Sequence, residues 1–216
     1  MKTRTLVLGL MAAALAVGTI PAAAQNTATV QITNLSHQII SPPVVASHTW
    51  KVAVFVPGQP ASSDLTALAE DGDVTGLVDL LSGHEEVLDV AAAGGPLLPG
   101  ETATLEVEVR GKFNRISAVG MLVTTNDAFF GLSNFFVDPS EPVQRVMVPA
   151  WDAGTEFNSE LCDFIPGPPC GNPFMRDTDG AEGFVSIHSG IHGTGDLLPN
   201  EWDWQNPVVE IAVIMN

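Results

Sequence analysis

The stretch "TATLEVEVRG" (102–111) constrains the fold more than any other part of this chain. Leu105, Val107 and Val109 fall on one side of an extended backbone, and Glu106, Glu108 and Arg110 fall on the other. Side chains alternate faces along a strand, so this is a strand with one face buried and one wet. The same period recurs at 29–35 ("TVQITNL"), 51–57 ("KVAVFVP"), 86–92 ("EVLDVAA"), 116–125 ("ISAVGMLVTT"), 142–150 ("PVQRVMVPA"), 183–189 ("GFVSIHS") and 207–215 ("PVVEIAVIM"). Gly, Pro, Asn and Asp clusters separate these runs. About eight short strands punctuated in this way predict an all-β chain folded as an antiparallel β-sandwich.

One region breaks the pattern. In "SSDLTALAEDGDVTGLVDLLSG" (62–83), Ser62 or Ser63 can cap a helix carrying Leu65, Leu68 and Ala69, and Leu77, Leu80 and Leu81 follow on a second turn. Gly72, Gly76 and Gly83 divide the segment, so two short helices are expected here.

The beginning of the chain sets the compartment. Lys2 and Arg4 precede "TLVLGLMAAALAVGTI", and Pro21 and Ala22 to Ala24 follow it. A basic start, a short apolar stretch and a small-residue site read as an export signal cut after about Ala24. Residues 1–24 are therefore expected to be removed, leaving 25–216 as a single secreted or periplasmic domain. The apolar run is shorter than the roughly 20 residues a membrane span needs, and no later stretch is more apolar.

The 216-residue chain carries 25 acids against 8 Lys and Arg, a formal charge of −17. Loss of the signal would take away Lys2 and Arg4 and no acid. Such a surface repels nucleic-acid phosphates and attracts cations. In an oxidising compartment the only two cysteines, Cys162 and Cys170, are expected to form one disulfide with a local, loop-shaping role.

Conventional catalytic motifs are missing from the sequence: there is no G-x-S-x-G elbow and no G-x-x-x-x-G-K-[ST] loop. The expectation is accordingly a non-enzyme. Three acid- or histidine-bearing patterns remain. His188, His192 and Asp196 are spaced by four, which would bring them to one zinc ion on a helix. Their stretch holds Gly183, Gly190, Gly193 and Gly195 and reads as strand and turn, so turn histidines bonded to nearby backbone are the favoured account. Asp71, Asp73, Thr75, Gly76 and Asp79 match five positions of a calcium loop, but its closing Glu is replaced by Ser82.

The third pattern is "PAWDAGTE" (149–156). Asp152 and Glu156 flank Ala-Gly-Thr directly after a strand, and Gly154 lets the backbone turn. Calcium takes six to eight hard oxygens from carboxylates, carbonyls and water. This loop can supply both kinds, but needs a third acid from elsewhere. Glu160 and Asp163, further along, read as solvated surface. Asp177, Asp179 and Glu182 could add a ligand, and a hydrated acidic turn is their competing reading.

"TTNDAFFGL" (124–132) and "VPAWDAGTE" (148–156) together resemble the two signature segments of the spondin domain. Upstream, "SPPVVASHTWKVAVFVPGQPASSDLTALAEDGD" is similar to that domain's N-terminal part. Downstream, "EGFVSIHSGIHGTGDLLPNEWDWQNPVVEIAV" is similar to the ending of bacterial members. The resemblance implies a β-sandwich related to calcium- and lipid-binding sandwiches, with calcium held by Asp127, Asp152 and Glu156. Glu156 departs from the Asp of animal members, and Asn126 and Ala128 depart from their Pro and Trp. Matrix attachment by animal relatives implies an extracellular or cell-surface protein or glycan as partner. The strand pattern agrees in one respect: Asp127 and Asp152 each follow a strand and can reach the same sandwich edge. Two alternatives stand beside this reading. One is a metal-dependent hydrolase using His188 and His192. The other is a carbohydrate-binding sandwich in which Trp202 and Trp204 offer stacking faces, although burial of such large aromatics is the favoured account.

Overall fold

The computed structural model describes residues 26–216. The expected export signal (1–24) lies outside the described residues. The expected antiparallel sandwich is present, with ten strands where about eight were read.

Strands β1 (Thr27–Asn34), β2 (Val44–His48), β3 (Val87–Ala92), β4 (Thr102–Glu108) and β5 (Arg115–Met121) precede β6 (Ala128–Phe136), β7 (Val143–Val148), β8 (Ala150–Asp152), β9 (Ser186–Ile187) and β10 (Val209–Met215). They form a four-stranded sheet ordered β4-β1-β10-β7 and a six-stranded sheet ordered β3-β2-β5-β6-β8-β9. Neighbouring strands are antiparallel throughout.

The alternation works as read in the four-stranded sheet. Ala28, Val30 and Ile32 of β1 point inward and are fully buried, and Val30 lies opposite both Leu105 and Val213. These side chains meet Ile116, Ala118 and Phe130 of the other sheet in the main core. A second core lies on the far face of the six-stranded sheet. There Val44, Ala46, Val119 and Phe129 pack beneath Leu65, Leu68 and Leu77 of helices α1 (Ser63–Asp71) and α2 (Thr75–Ser82). Both helices form where expected: Ser62 Oγ accepts the Leu65 N–H at 3.2 Å, and Gly72 closes α1 in the left-handed region at φ +69°. A four-residue helix α3 (Pro199–Trp202) was not foreseen.

The second core explains two departures from the expected strands. β2 is buried along its whole length because it is covered on both faces, so "VVASH" shows no alternation to read. The segment 51–57 does alternate, yet it is not a strand. Both sides of β2 are already paired, with β3 and β5, and 51–57 instead sends Val52 and Phe55, three apart, into the second core.

"PVQRVMVPA" divides at Pro149, which lacks an N–H to pair. β7 before it belongs to the four-stranded sheet and β8 after it to the six-stranded sheet. That switch carries the chain to the edge where the acids gather. The run 183–189 contributes only two strand residues, Ser186 and Ile187, paired with β8.

Candidate functional site

Asp127 and Asp152 are brought together by sheet pairing. Ala128 at the start of β6 lies opposite Asp152 at the end of β8, and Asp127 is the residue just before it. The β5–β6 connection is closed by Thr125, whose Oγ1 donates to Leu122 O at 2.6 Å and accepts the Ala128 N–H at 3.0 Å. Asp127 is held at the mouth of that connection and is fully buried.

The loop after β8 folds around the Asp127 carboxylate. Oδ2 accepts the N–H of Thr155 at 2.7 Å, the N–H of Glu156 at 3.0 Å and the Thr155 hydroxyl at 3.2 Å. Asp152 starts the same loop as an Asx turn, its Oδ1 accepting the Gly154 N–H at 2.6 Å. Gly154 is required twice over. Its φ is +70°, and a Cβ there would stand 2.3 Å from the Phe184 carbonyl oxygen. Glu156, also fully buried, accepts the Asp177 N–H on Oε1 at 2.8 Å.

Two carboxylate oxygens in this cluster have no partner. Asp127 Oδ1 and Glu156 Oε2 are buried without a hydrogen bond. An orphaned buried acceptor retains its full desolvation penalty, about 1–3 kcal/mol and more when charged. The acids accordingly favour protons in the absence of a cation. Burial, reinforced by the neighbouring Asp152 charge, pushes Asp127 up to about 7 against the pull of its backbone donors. Burial, with Glu70 and Asp127 nearby, pushes Glu156 up to about 8. Asp152 is raised too, by burial, and is held back by Asn158 and the Gly154 N–H. All three predicted acids thus share one buried neighbourhood. They are not arranged as a ready coordination shell: among the described residues no group of three or more His, Cys, Asp or Glu side chains is placed to hold a metal ion. Coordination by all three requires their side chains to turn toward one point.

Around the cluster, Asn158 carries no sequence signal for this role, whereas Asp177, Asp179 and Glu182 were candidate further ligands. Asn158 donates through Nδ2 to Asp152 Oδ2 at 2.5 Å, and its Oδ1 lies 2.9 Å from His188 Nε2. Glu182 is exposed, stands near Asp152 and Asn158, and has a raised pKa from partial burial and the Asp152 charge. Asp177 gives a backbone N–H, and Asp179 stays exposed. Arg176 pairs with Glu70 and Asp71 at the end of α1, fastening the loop that carries Asp177 to that helix.

The remaining candidates separate. His188 is buried, and its ring nitrogens face the Gly190 N–H and Asn158 Oδ1, while burial drives its pKa down to about 4. His192 Nε2 meets the Ser189 hydroxyl, and Asp196 accepts the Cys162 N–H. The three do not converge on a metal position. Asp71 ends α1, Asp73 Oδ1 caps the Thr75 N–H, and Gly76 and Asp79 lie inside α2, so no calcium loop forms there.

Glu160, expected at the solvated surface, is buried instead. Its carboxylate accepts the N–H groups of His192 at 2.5 Å, Gly193 at 2.7 Å and Thr194 at 2.9 Å. Three backbone donors replace its water shell, which a linear reading cannot foresee from residues thirty positions away. Asp163 is exposed as expected. Cys162 and Cys170 are joined in the predicted disulfide. Trp204 is 9% exposed and packs on the His188 ring at 5.0 Å, so burial rather than display is its main duty. Trp202 is half-buried against the same core. No helix among the described residues is long and apolar enough to cross a membrane. No family model matches this chain, and no curated protein sequence matches it, which leaves the geometry of the site as the ground for a functional reading.

Proposed function

We propose that this protein is an exported, non-enzymatic, calcium-binding β-sandwich module of the spondin type. Asp127, Asp152 and Glu156 hold the cation, and the module engages an extracellular or cell-surface protein or glycan. The observation that carries the reading is the pair of orphaned buried oxygens, Asp127 Oδ1 and Glu156 Oε2, on two acids from separate loops that one hydrogen bond joins. A hard divalent cation supplies the positive charge that these oxygens lack, and calcium tolerates the mixed carboxylate and carbonyl donors of an irregular loop. Asp127 and Asp152 then bind across the β6–β8 pair, while Glu156 binds from the loop that Asp127 already anchors. Burial of Asp127 and Glu156 makes this a structural site, one that stiffens the loops at the sandwich edge rather than activating water.

The hydrolase alternative loses support because both His188 nitrogens are engaged within the protein. Thermal melting in calcium and in chelator tests the reading. Calcium should raise the melting temperature, and Asp127→Asn should remove the calcium response. Equal melting of the native protein in both conditions would sink it.

A further inference from the structure

We infer that Asn158 and His188 are positioning residues of the cation site, acting on Asp152 through an unbroken hydrogen-bonded relay. This rests on the calcium reading above and adds to it the groups that set affinity.

The relay has a defined direction. His188 Nδ1 accepts the Gly190 N–H at 3.0 Å, which places the ring proton on Nε2. Nε2–H therefore donates to Asn158 Oδ1 at 2.9 Å, which in turn fixes the orientation of the Asn158 amide. Its Nδ2 is then the end that faces Asp152 Oδ2, at 2.5 Å. Reversal of the amide would set its oxygen against the Asp152 carboxylate and its NH2 against the histidine N–H. Both contacts would be repulsive.

The anchor of the relay is rigid. His188 is 3% exposed and lies against Trp204, itself part of the main core. Asn158 is two residues beyond Glu156, so one short stretch of loop carries both a ligand and the group that aims another. With Gly154 donating to Oδ1 and Asn158 to Oδ2, each Asp152 oxygen carries one protein hydrogen bond and keeps a lone pair for the cation. Groups that orient a metal ligand in this way typically contribute 10–100-fold to metal affinity. The relay also gives His188 a task that separates it from His192. His192 is exposed, and its ring Nε2 hydrogen-bonds to the Ser189 hydroxyl.

Calcium titration by calorimetry on the full chain, with native protein, Asn158→Ala, His188→Ala, His188→Gln and His192→Ala, tests the role. Asn158→Ala and His188→Ala should weaken calcium binding by about 10–100-fold. Gln at 188 keeps a side-chain N–H in the place of Nε2 and should recover part of the loss, whereas His192→Ala should bind like native protein. Calcium-free melting of each variant controls for folding, and Asn158→Leu, which keeps the side chain's size but removes its donor, replaces any alanine variant that fails to fold. Native-like affinity in Asn158→Ala or Asn158→Leu overturns the relay, and so does an equal loss in His192→Ala. Absence of calcium binding by native protein overturns the calcium reading itself, and the relay role with it.

Discussion

Asp127 anchors the loop that carries Glu156: its Oδ2 accepts the Glu156 backbone N–H at 3.0 Å, while the free oxygen of each carboxylate stays buried without a partner. The two acids are therefore held together by the same bonds that make their charges hard to bear.

A pH dependence follows. Without a cation, Asp127 and Glu156 hold protons up to about 7 and about 8 when folded. In the unfolded chain they release them near 4. The folded state binds the extra protons between those values, so the stability these two groups contribute is fully present below about pH 4 and is lost as pH rises to about 8. Chelator-treated protein should melt at a higher temperature at pH 5 than at pH 8. Asp127→Asn with Glu156→Gln should flatten that slope. Calcium competes with the same protons, so its affinity should rise over the same interval, as a titration at several pH values would record.

Gly154→Ala places a methyl group against the Phe184 backbone in a residue with positive φ. Backbone strain of this kind costs about 1–3 kcal/mol, and here a steric clash adds to it. Chemical denaturation should show at least that loss, together with loss of the calcium response, because Gly154 donates to Asp152.

Arg176→Gln removes the partner of Glu70 and Asp71. The expected loss is about 1.5–3 kcal/mol, the scale for charged hydrogen bonds, below that of a fully buried pair because the arginine keeps some exposure. The loop 171–183 should at the same time become more open to limited proteolysis.

Reduction of the Cys162–Cys170 bridge opens a loop with a sequence separation of 8. Constraint of so short a loop is worth roughly 2–3 kcal/mol, so the reduced protein should remain folded at room temperature and melt lower. Unfolding on reduction alone would show that the bridge does more than shape its loop.

The sandwich was legible because its four-stranded sheet has one wet face, so that Val30 and Ile32 alternate with Gln31 and Thr33. β2 was not, because helices cover the face that would have shown polar residues. Within the site, Asp152 and Glu156 could be read from an acid pair around a glycine. Asp127 was reached only through the resemblance of its segment to the spondin domain, because no local pattern sets it apart from other turn acids. Asn158, His188 and Glu160 take their roles from partners about thirty residues distant, and no local pattern encodes such a pairing. The segment 51–57 shows the converse, an alternation that exists for packing against helices once the neighbouring strand has no free side.

A crystal structure grown with calcium tests the central claim most directly. The account predicts one ion with oxygens of Asp127, Asp152 and Glu156 at about 2.3–2.6 Å, the previously orphaned Asp127 Oδ1 and Glu156 Oε2 among them. A calcium-saturated crystal in which those two oxygens stay unliganded would contradict it.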